Sequence, residues 1–151
     1  MKLYFKKCIV LFWAVWWLIA FWTDLVGALA HIGLITKPWA PDTNYPHLVA
    51  SLKMYPGATL LAPFFYVAII LGCFISAVLF CRAVFASHKP LDIYLKKVDL
   101  AFIFSLLFWF AFCLADQLVM KFDLEENHMV QAGFEFLSYL SLYLLPNHHT
   151  K

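Results

Sequence analysis

Four blocks of apolar residues divide the chain, and polar positions collect in the segments between them. The blocks cover residues 8–32, 58–81, 98–120 and 128–146. A helix needs ~20 apolar residues to cross ~30 Å of hydrocarbon, and each block has about that length or more. The pattern predicts an all-α membrane protein, in which a four-transmembrane-helix bundle forms a single membrane domain over residues 1–151.

The segment between the first two blocks is rich in proline. Pro38, Pro41 and Pro46 fall within nine residues, which argues against a helix there. Residues 48–55 could form two turns on the membrane surface, ended by Pro56-Gly57. We therefore expect an ordered, Pro-rich outer loop between helices 1 and 2 that caps the bundle. The cap residues are Asp42, Thr43, Tyr45 and Pro46.

Composition agrees with a membrane location. The chain is 64% hydrophobic and 13% charged, whereas soluble domains are roughly half apolar and a quarter charged. The net charge of +2 gives no signal for nucleic acid, so the expected surroundings are the lipid bilayer. Each of the four cysteines falls within or at the end of a block, so no disulfide is expected.

The basic residues predict the orientation. Eight of the eleven Lys and Arg residues precede the first span, join the second to the third, or end the chain. If the membrane is a bacterial inner (cytoplasmic) membrane, the positive-inside rule makes both the N and C termini cytoplasmic. A cleaved signal peptide is the alternative, because Lys6-Lys7 precedes an apolar run that ends in Ala28-Leu29-Ala30. The length and tryptophan content of that run argue against cleavage.

Three of the predicted spans each carry a carboxylate where lipid is expected. A rise of ~1.5 Å per residue places Asp24 about 24 Å and Asp116 about 26 Å above the inner boundary, and Glu135 about 10 Å below the outer surface. A charged residue inside a span is costly and is by default a candidate functional site. All three acids therefore belong to the outer third of the membrane.

The helical period places other polar residues on the same faces. His128, Gln131 and Glu135 follow one stripe, and His31 shares a face with Asp24. If these faces point inward, the bundle holds an outward-opening polar pocket. Its lining would be Asp24, His31, Asp116, His128, Gln131 and Glu135.

Four interpretations of these residues stay open. They could tie helices together, pair with basic residues of a partner protein, bind a metal ion, or handle protons or ions. The candidate metal ligands are His31, His128, Asp24 and Glu135, although no HxxxH or HExxH spacing supports them. Haem between the two histidines has no further support, so no cofactor is predicted. No catalytic residue is predicted either, because GxSxG, CxxC and phosphate-loop motifs are absent from the sequence.

Several short motifs resemble a bacterial family of predicted small integral membrane proteins, a domain of unknown function. Thr23-Asp24 with His31, and then Asp42-Thr43-Asn44-Tyr45-Pro46, resemble that family's first span and outer loop. Residues 107–112 and 131–136 are similar to its motifs in spans three and four. The resemblance implies four spans and a bacterial inner membrane, and it implies no activity.

The chain also departs from that family pattern. An arginine of the family corresponds here to Glu135, which reverses a charge in the predicted pocket. An acidic residue in its second span is missing, with Gly72 near that place, and the spacing between His31 and Asp42 is longer. These differences leave the role of the pocket open.

The leading functional hypothesis is a non-enzymatic accessory, assembly or stabilising subunit that docks on a larger membrane complex. Its partners would be other membrane protein subunits, or copies of itself. The alternative is a membrane binding module that holds a metal ion or a small cation in the outer-leaflet pocket. A proton-coupled carrier is a third hypothesis, but it usually requires more spans or an internal repeat.

Overall fold

The computed structural model describes residues 2–36 and 43–144, and these residues form five α-helices. In chain order they are α1 (Lys2–His31), α2 (Asn44–Leu52), α3 (Ala58–Phe85), α4 (Leu91–Leu118) and α5 (Phe122–Leu144). The described residues contain no strand. The prediction of an all-α fold is therefore confirmed.

Three of the helices are long and apolar enough to cross a membrane. The segments are Tyr4–His31 of α1, Ala58–Phe85 and Leu91–Leu118, each of 28 residues. A helix of that length is about 42 Å long, which exceeds the ~30 Å hydrocarbon core. These helices indicate an integral membrane protein.

The fourth predicted span does not meet the same standard. Helix α5 covers most of residues 128–146, but it is not among the helices apolar enough to span a membrane. Its apolar positions alternate with Gln131, Glu135 and several serine and tyrosine residues, which lower its mean hydropathy. Composition therefore supports three spans where four were predicted.

The Pro-rich loop is also different from the prediction. Asp42 and residues 37–41 lie outside the described residues, Thr43 is the N-cap of α2, and Tyr45 and Pro46 lie in its first turn. Proline is tolerated there because the first N–H groups of a helix have no intrahelical acceptor. The expectation that Pro46 excludes a helix is therefore wrong. The predicted break at Pro56-Gly57 is present, and Gly57 adopts the left-handed conformation with φ 86° before α3.

The helices pack in a simple order around the core. Helix α1 packs along α3, α3 along α4, and α4 along α5, while α2 lies against α3 and α1. Short connections make α3 and α4, and α4 and α5, antiparallel neighbours. Trp13 and Trp17 of α1 are fully buried in this core. Gly72 of α3 lies directly against the Phe108 ring of α4, and its lack of a side chain lets the two helices approach closely.

The bundle has two chemically different ends. We call the end that holds α2 the cap end, and the opposite end, with the α3–α4 connection, the basic end. At the basic end the buried Lys6 donates a hydrogen bond from Nζ to the backbone oxygen of Leu142. The start of α1 therefore lies beside the last turn of α5, where a cation also interacts favourably with the helix dipole.

Candidate functional site

Asp24 joins α1 to both α2 and α3. Its side chain is buried, and Asn44 Nδ2 donates a hydrogen bond of 2.6 Å to its Oδ1. The Cys73 thiol lies 3.6 Å from Oδ2, and the Tyr66 hydroxyl donates to the Asp24 backbone oxygen at 3.1 Å. The acid expected to face a pocket therefore holds the cap helix and α3 against α1.

His31 belongs to a row of rings under the cap. Its ring centroid lies 4.1 Å from that of Tyr45, which in turn lies 5.1 Å from that of Tyr66. Tyr66 also donates a hydrogen bond to the backbone oxygen of Asp24. The row of rings therefore links His31, the last residue of α1, to Asp24, about two turns earlier in the same helix. His31 thus contacts an aromatic ring of α2, in a different neighbourhood from His128.

Asp116 and His128 form a pair between α4 and α5. The His128 Nδ1 lies 2.5 Å from the Asp116 Oδ2, and Asp116 is 5% exposed. The imidazole packs against Phe112, with ring centroids 4.8 Å apart, and against Trp109 at 5.8 Å. This contact gives the predicted acid and histidine one shared role, which is to tie α4 to the first turns of α5.

Glu135 is the most deeply buried acid, with 0% of its surface exposed. It accepts a hydrogen bond of 2.7 Å from Trp109 Nε1, and it bonds through Oε1 to the hydroxyl of Ser105. Both partners lie on α4. A buried carboxyl that would be costly alone is therefore held by two groups of the neighbouring helix.

The single proton of the Ser105 hydroxyl limits how this group can be bonded. Ser105 Oγ lies 3.0 Å from the backbone oxygen of Ala101 and also contacts Glu135, yet a hydroxyl can donate only one hydrogen bond. A protonated Glu135 donates to Ser105 while Ser105 donates to Ala101, and both contacts are then satisfied. A carboxylate that accepts from Ser105 and Trp109 is satisfied too, but the neutral form is cheaper to bury, so we expect Glu135 to be protonated.

The side chain of Gln131 bonds to Asn127 and not to one of the three buried acids. Its amide nitrogen, Nε2, donates to Asn127 Oδ1 at 3.1 Å, one turn earlier on the same helix. Both side chains lie toward the cap end of α5. Gln131 is therefore part of the local polar surface of α5, although the helical period places it on the stripe with His128 and Glu135.

The three carboxyl groups accept hydrogen bonds from different residues. Asp24 bonds to Asn44 and Cys73, while the other two acids bond to residues at the α4–α5 contact. Within residues 2–36 and 43–144, no three His, Cys, Asp or Glu side chains are grouped so that they could hold a metal ion. The arrangement supports the interpretation in which these residues tie the helices together.

A further acidic contact at the basic end was not anticipated. The sequence indicates that Asp99 pairs with Lys96, but Asp99 Oδ1 accepts hydrogen bonds from the Tyr143 hydroxyl and, at 3.2 Å, from the Tyr139 hydroxyl. Tyr139 and Tyr143 are four residues apart on α5 and so lie on one face. This four-residue spacing is the feature of the sequence that could have indicated a shared partner for the two tyrosines.

The α4–α5 contact is therefore polar at three levels. Asp116 and His128 meet near the cap end, Glu135 meets Ser105 and Trp109 in the middle, and Asp99 meets two tyrosines near the basic end. Interhelical hydrogen bonds of this kind contribute about 0.6–2 kcal/mol each in membranes. We call this contact the polar seam.

Comparisons with known proteins leave the family open, because no family model matches the chain and no curated protein or solved structure is detectably similar to it.

Proposed function

We propose that this chain is a small integral protein of a bacterial inner membrane, and that it acts as a non-enzymatic accessory subunit. In this proposal it assembles with or stabilises a larger membrane complex. The observation that carries the proposal is an exposed tryptophan, Trp16, at the middle of the first membrane helix. The buried polar residues serve the fold of the subunit itself.

The proposal includes α5 as a fourth membrane helix. Its side chains His128, Glu135 and Tyr139 contact α4 through the polar seam, so they need not meet lipid. From Met129 to Leu144, every exposed residue of α5 is apolar, a glycine or a tyrosine. A helix whose outer face is apolar and whose polar face is covered by a neighbour is suited to lipid, although its mean hydropathy is low.

We expect cysteine labelling to show that α5 crosses the membrane. In intact cells, an impermeant maleimide should react with Asn127→Cys, which lies at the cap end, and should not react with Lys89→Cys or a cysteine added after Lys151. All three should react after the membrane is opened, and the unsubstituted chain gives the background from the native cysteines. Labelling of the added C-terminal cysteine from outside would show that α5 does not cross.

Trp16 supports a docking role through its depth. It lies 12 residues after Tyr4 and 15 before His31, or about 18 Å and about 22 Å from the two ends of the span. Tryptophan normally prefers the interfaces of a membrane, where its N–H meets water or head groups. A 38% exposed tryptophan at mid-depth is better accommodated by a protein surface than by acyl chains.

Neighbouring aromatic residues extend this surface. Phe12 lies next to Trp16, with ring centroids 6.1 Å apart, and Phe134 of α5 lies 6.1 Å from Phe12. All three side chains are exposed. We call Phe12, Trp16 and Phe134 the aromatic ridge. Large aromatic residues are enriched at the central contacts of protein interfaces, so this ridge is the proposed docking face.

The test is purification from native membranes in a gentle detergent, with mass spectrometry of all retained proteins and metals. We expect the chain to be recovered in fixed ratio with a larger membrane complex. Trp16→Leu should lower that recovery by about tenfold or more, because loss of a central aromatic contact typically costs over ~1.4 kcal/mol. The matched control is Phe110→Leu, an exposed aromatic residue on α4, which should leave the recovery unchanged.

Other outcomes of this purification would overturn the proposal. Recovery of the chain alone, or equal recovery of both variants, would contradict docking through the aromatic ridge. One metal ion per chain, lost in Asp24→Asn or His31→Ala, would instead favour the metal-binding module. Membership of the family of predicted small integral membrane proteins stays part of this proposal, supported by the motifs at residues 23–31 and 131–136.

A further inference from the structure

A cavity of about 210 Å³ lies at the basic end of the bundle. It is bordered by the first turns of α1, the last turn of α3 with the residues that follow it, and the first turn of α4. One part of its lining is apolar and includes Leu11 and Val84, while Lys7 and Ser87 contribute a cation and a hydroxyl. The cavity therefore combines polar groups with an apolar wall.

Tyr94 adds a second observation. It lines the cavity and is 3% exposed, and its hydroxyl has no hydrogen-bond partner among the described residues. Buried polar groups in native proteins are almost always bonded, so an unbonded one needs an explanation. Trp13 Nε1, Trp17 Nε1 and Ser76 Oγ also lack a partner among the described residues, but of these four groups only Tyr94 lines the cavity. A phosphate oxygen is a strong acceptor for such a hydroxyl.

The charge around the cavity indicates the sign of that group. Arg82, Lys89, Lys96 and Lys97 lie on the same end as Lys7. The acids of this end are Asp92, which is exposed, and Asp99, whose carboxylate is occupied by Tyr139 and Tyr143. Lys6 is directed to the end of α5, which leaves Lys7 as the lysine that lines the cavity.

We propose that this cavity is a binding site for an anionic phospholipid. The phosphate of the head group would bind Lys7 with the hydroxyls of Ser87 and Tyr94, and an acyl chain would follow the exposed side chain of Leu11 along α1. Basic pockets between membrane helices are typical sites for anionic head groups. The apolar wall distinguishes a lipid from free phosphate, which would gain nothing from Leu11 and Val84.

The first test compares two lipids by native mass spectrometry of the purified protein. Wild-type protein should retain phosphatidylglycerol more strongly than phosphatidylcholine at equal concentration. Lys7→Gln should lower phosphatidylglycerol retention about fivefold, the effect of ~1 kcal/mol for one lysine. Lys89→Gln removes an exposed basic residue that does not line the cavity, and it should have a smaller effect.

The second test uses Tyr94→Phe and thermal stability, so that a defect in binding can be separated from a defect in folding. In phosphatidylcholine this variant should be as stable as wild type or more stable, because it removes an unbonded hydroxyl. Added phosphatidylglycerol should raise the melting temperature of wild type more than that of Tyr94→Phe. Inorganic phosphate at the same concentration should not raise it.

Three results would overturn the proposal. They are equal retention of both lipids by wild type, equal loss of lipid in Lys7→Gln and Lys89→Gln, and equal stabilisation of wild type and Tyr94→Phe by phosphatidylglycerol. Stabilisation by inorganic phosphate alone would show that the cavity binds the anion without the acyl chain, which also contradicts a lipid site.

Discussion

Replacement of Glu135 by alanine is expected to lower the free energy of unfolding by about 2–5 kcal/mol, whereas replacement by glutamine should cost less than about 1 kcal/mol. Alanine removes the group that bonds to Ser105 and Trp109, and it leaves a space in a fully buried position. The Trp109 indole N–H would then lie buried without an acceptor. Both effects weaken the middle of the polar seam.

Glutamine is tolerated in this prediction because it matches a protonated glutamic acid in shape and in hydrogen bonding. Its amide oxygen accepts from Trp109, and its NH₂ donates to Ser105, which then donates to the Ala101 backbone oxygen. An ionised carboxylate would instead accept the hydrogen bond of the Ser105 hydroxyl, and the Ala101 oxygen would keep only its backbone hydrogen bond within α4. The comparison of Glu135→Gln with Glu135→Ala therefore tests whether Glu135 is protonated as well as how much its packing contributes to stability.

Reversible unfolding of the purified protein in detergent micelles gives the measurement. Glu126→Ala is the control, since Glu126 is an exposed acid near the start of the same helix, and it should change stability by less than about 0.5 kcal/mol. Equal destabilisation by Glu135→Gln and Glu135→Ala would contradict the neutral acid. Wild-type stability in Glu135→Ala would contradict the structural role itself.

The sequence was informative about which polar residues are buried, and less so about what they contact. Asp24, Asp116 and Glu135 stand out in apolar blocks because hydropathy is a local property, and all three are buried. His31, which the helical period places on the same face as Asp24, is exposed. The partners of the three acids depend on which helices become neighbours. Asn44 could pair with Asp24 only once α2 folded over α1 and α3, in a segment where prolines argued against a helix.

The same distinction explains why Pro46 was wrongly expected to exclude a helix and why composition alone does not support α5 as a span. Pro46 was weighed as a helix breaker, but its effect depends on position, and in the first turn of α2 it removes no hydrogen bond. Residues 128–146 have about the length of a span, but Gln131 and Glu135 lower the mean hydropathy of α5. Whether such a helix enters lipid depends on whether α4 covers its polar side chains. The hydropathy of α5 alone contains no information about that contact.

The contacts of Asp99 at the basic end also could not be predicted from the sequence. A pairing of Asp99 with Lys96 was the natural expectation for neighbours on one helix, yet the carboxylate bonds to Tyr139 and Tyr143 of α5. A tyrosine at a membrane boundary can bury its ring and still offer its hydroxyl. Long-range pairs of this kind follow from packing, and the four-residue spacing of the tyrosines is their only trace in the sequence.

Close packing of α3 on α4 leads to the second large expected effect. Replacement of Gly72 by alanine should lower the free energy of unfolding by about 1–3 kcal/mol. A Cβ placed on Gly72 would lie 2.3 Å from the Phe108 Cζ. The ring cannot withdraw freely, because Phe108 packs against Phe112, with ring centroids 4.8 Å apart, and against Trp17 at 5.9 Å.

Gly133→Ala is the matched control for this substitution. Gly133 is also a helical glycine, but nothing lies within 4 Å of a Cβ built on it. The change should therefore raise stability by up to about 1 kcal/mol, as expected when alanine replaces glycine in a helix. Since both variants share this gain in helix propensity, the difference between their unfolding free energies isolates the contact with Phe108. Equal stabilities of the two variants would show that α3 and α4 do not approach each other as closely as this contact requires.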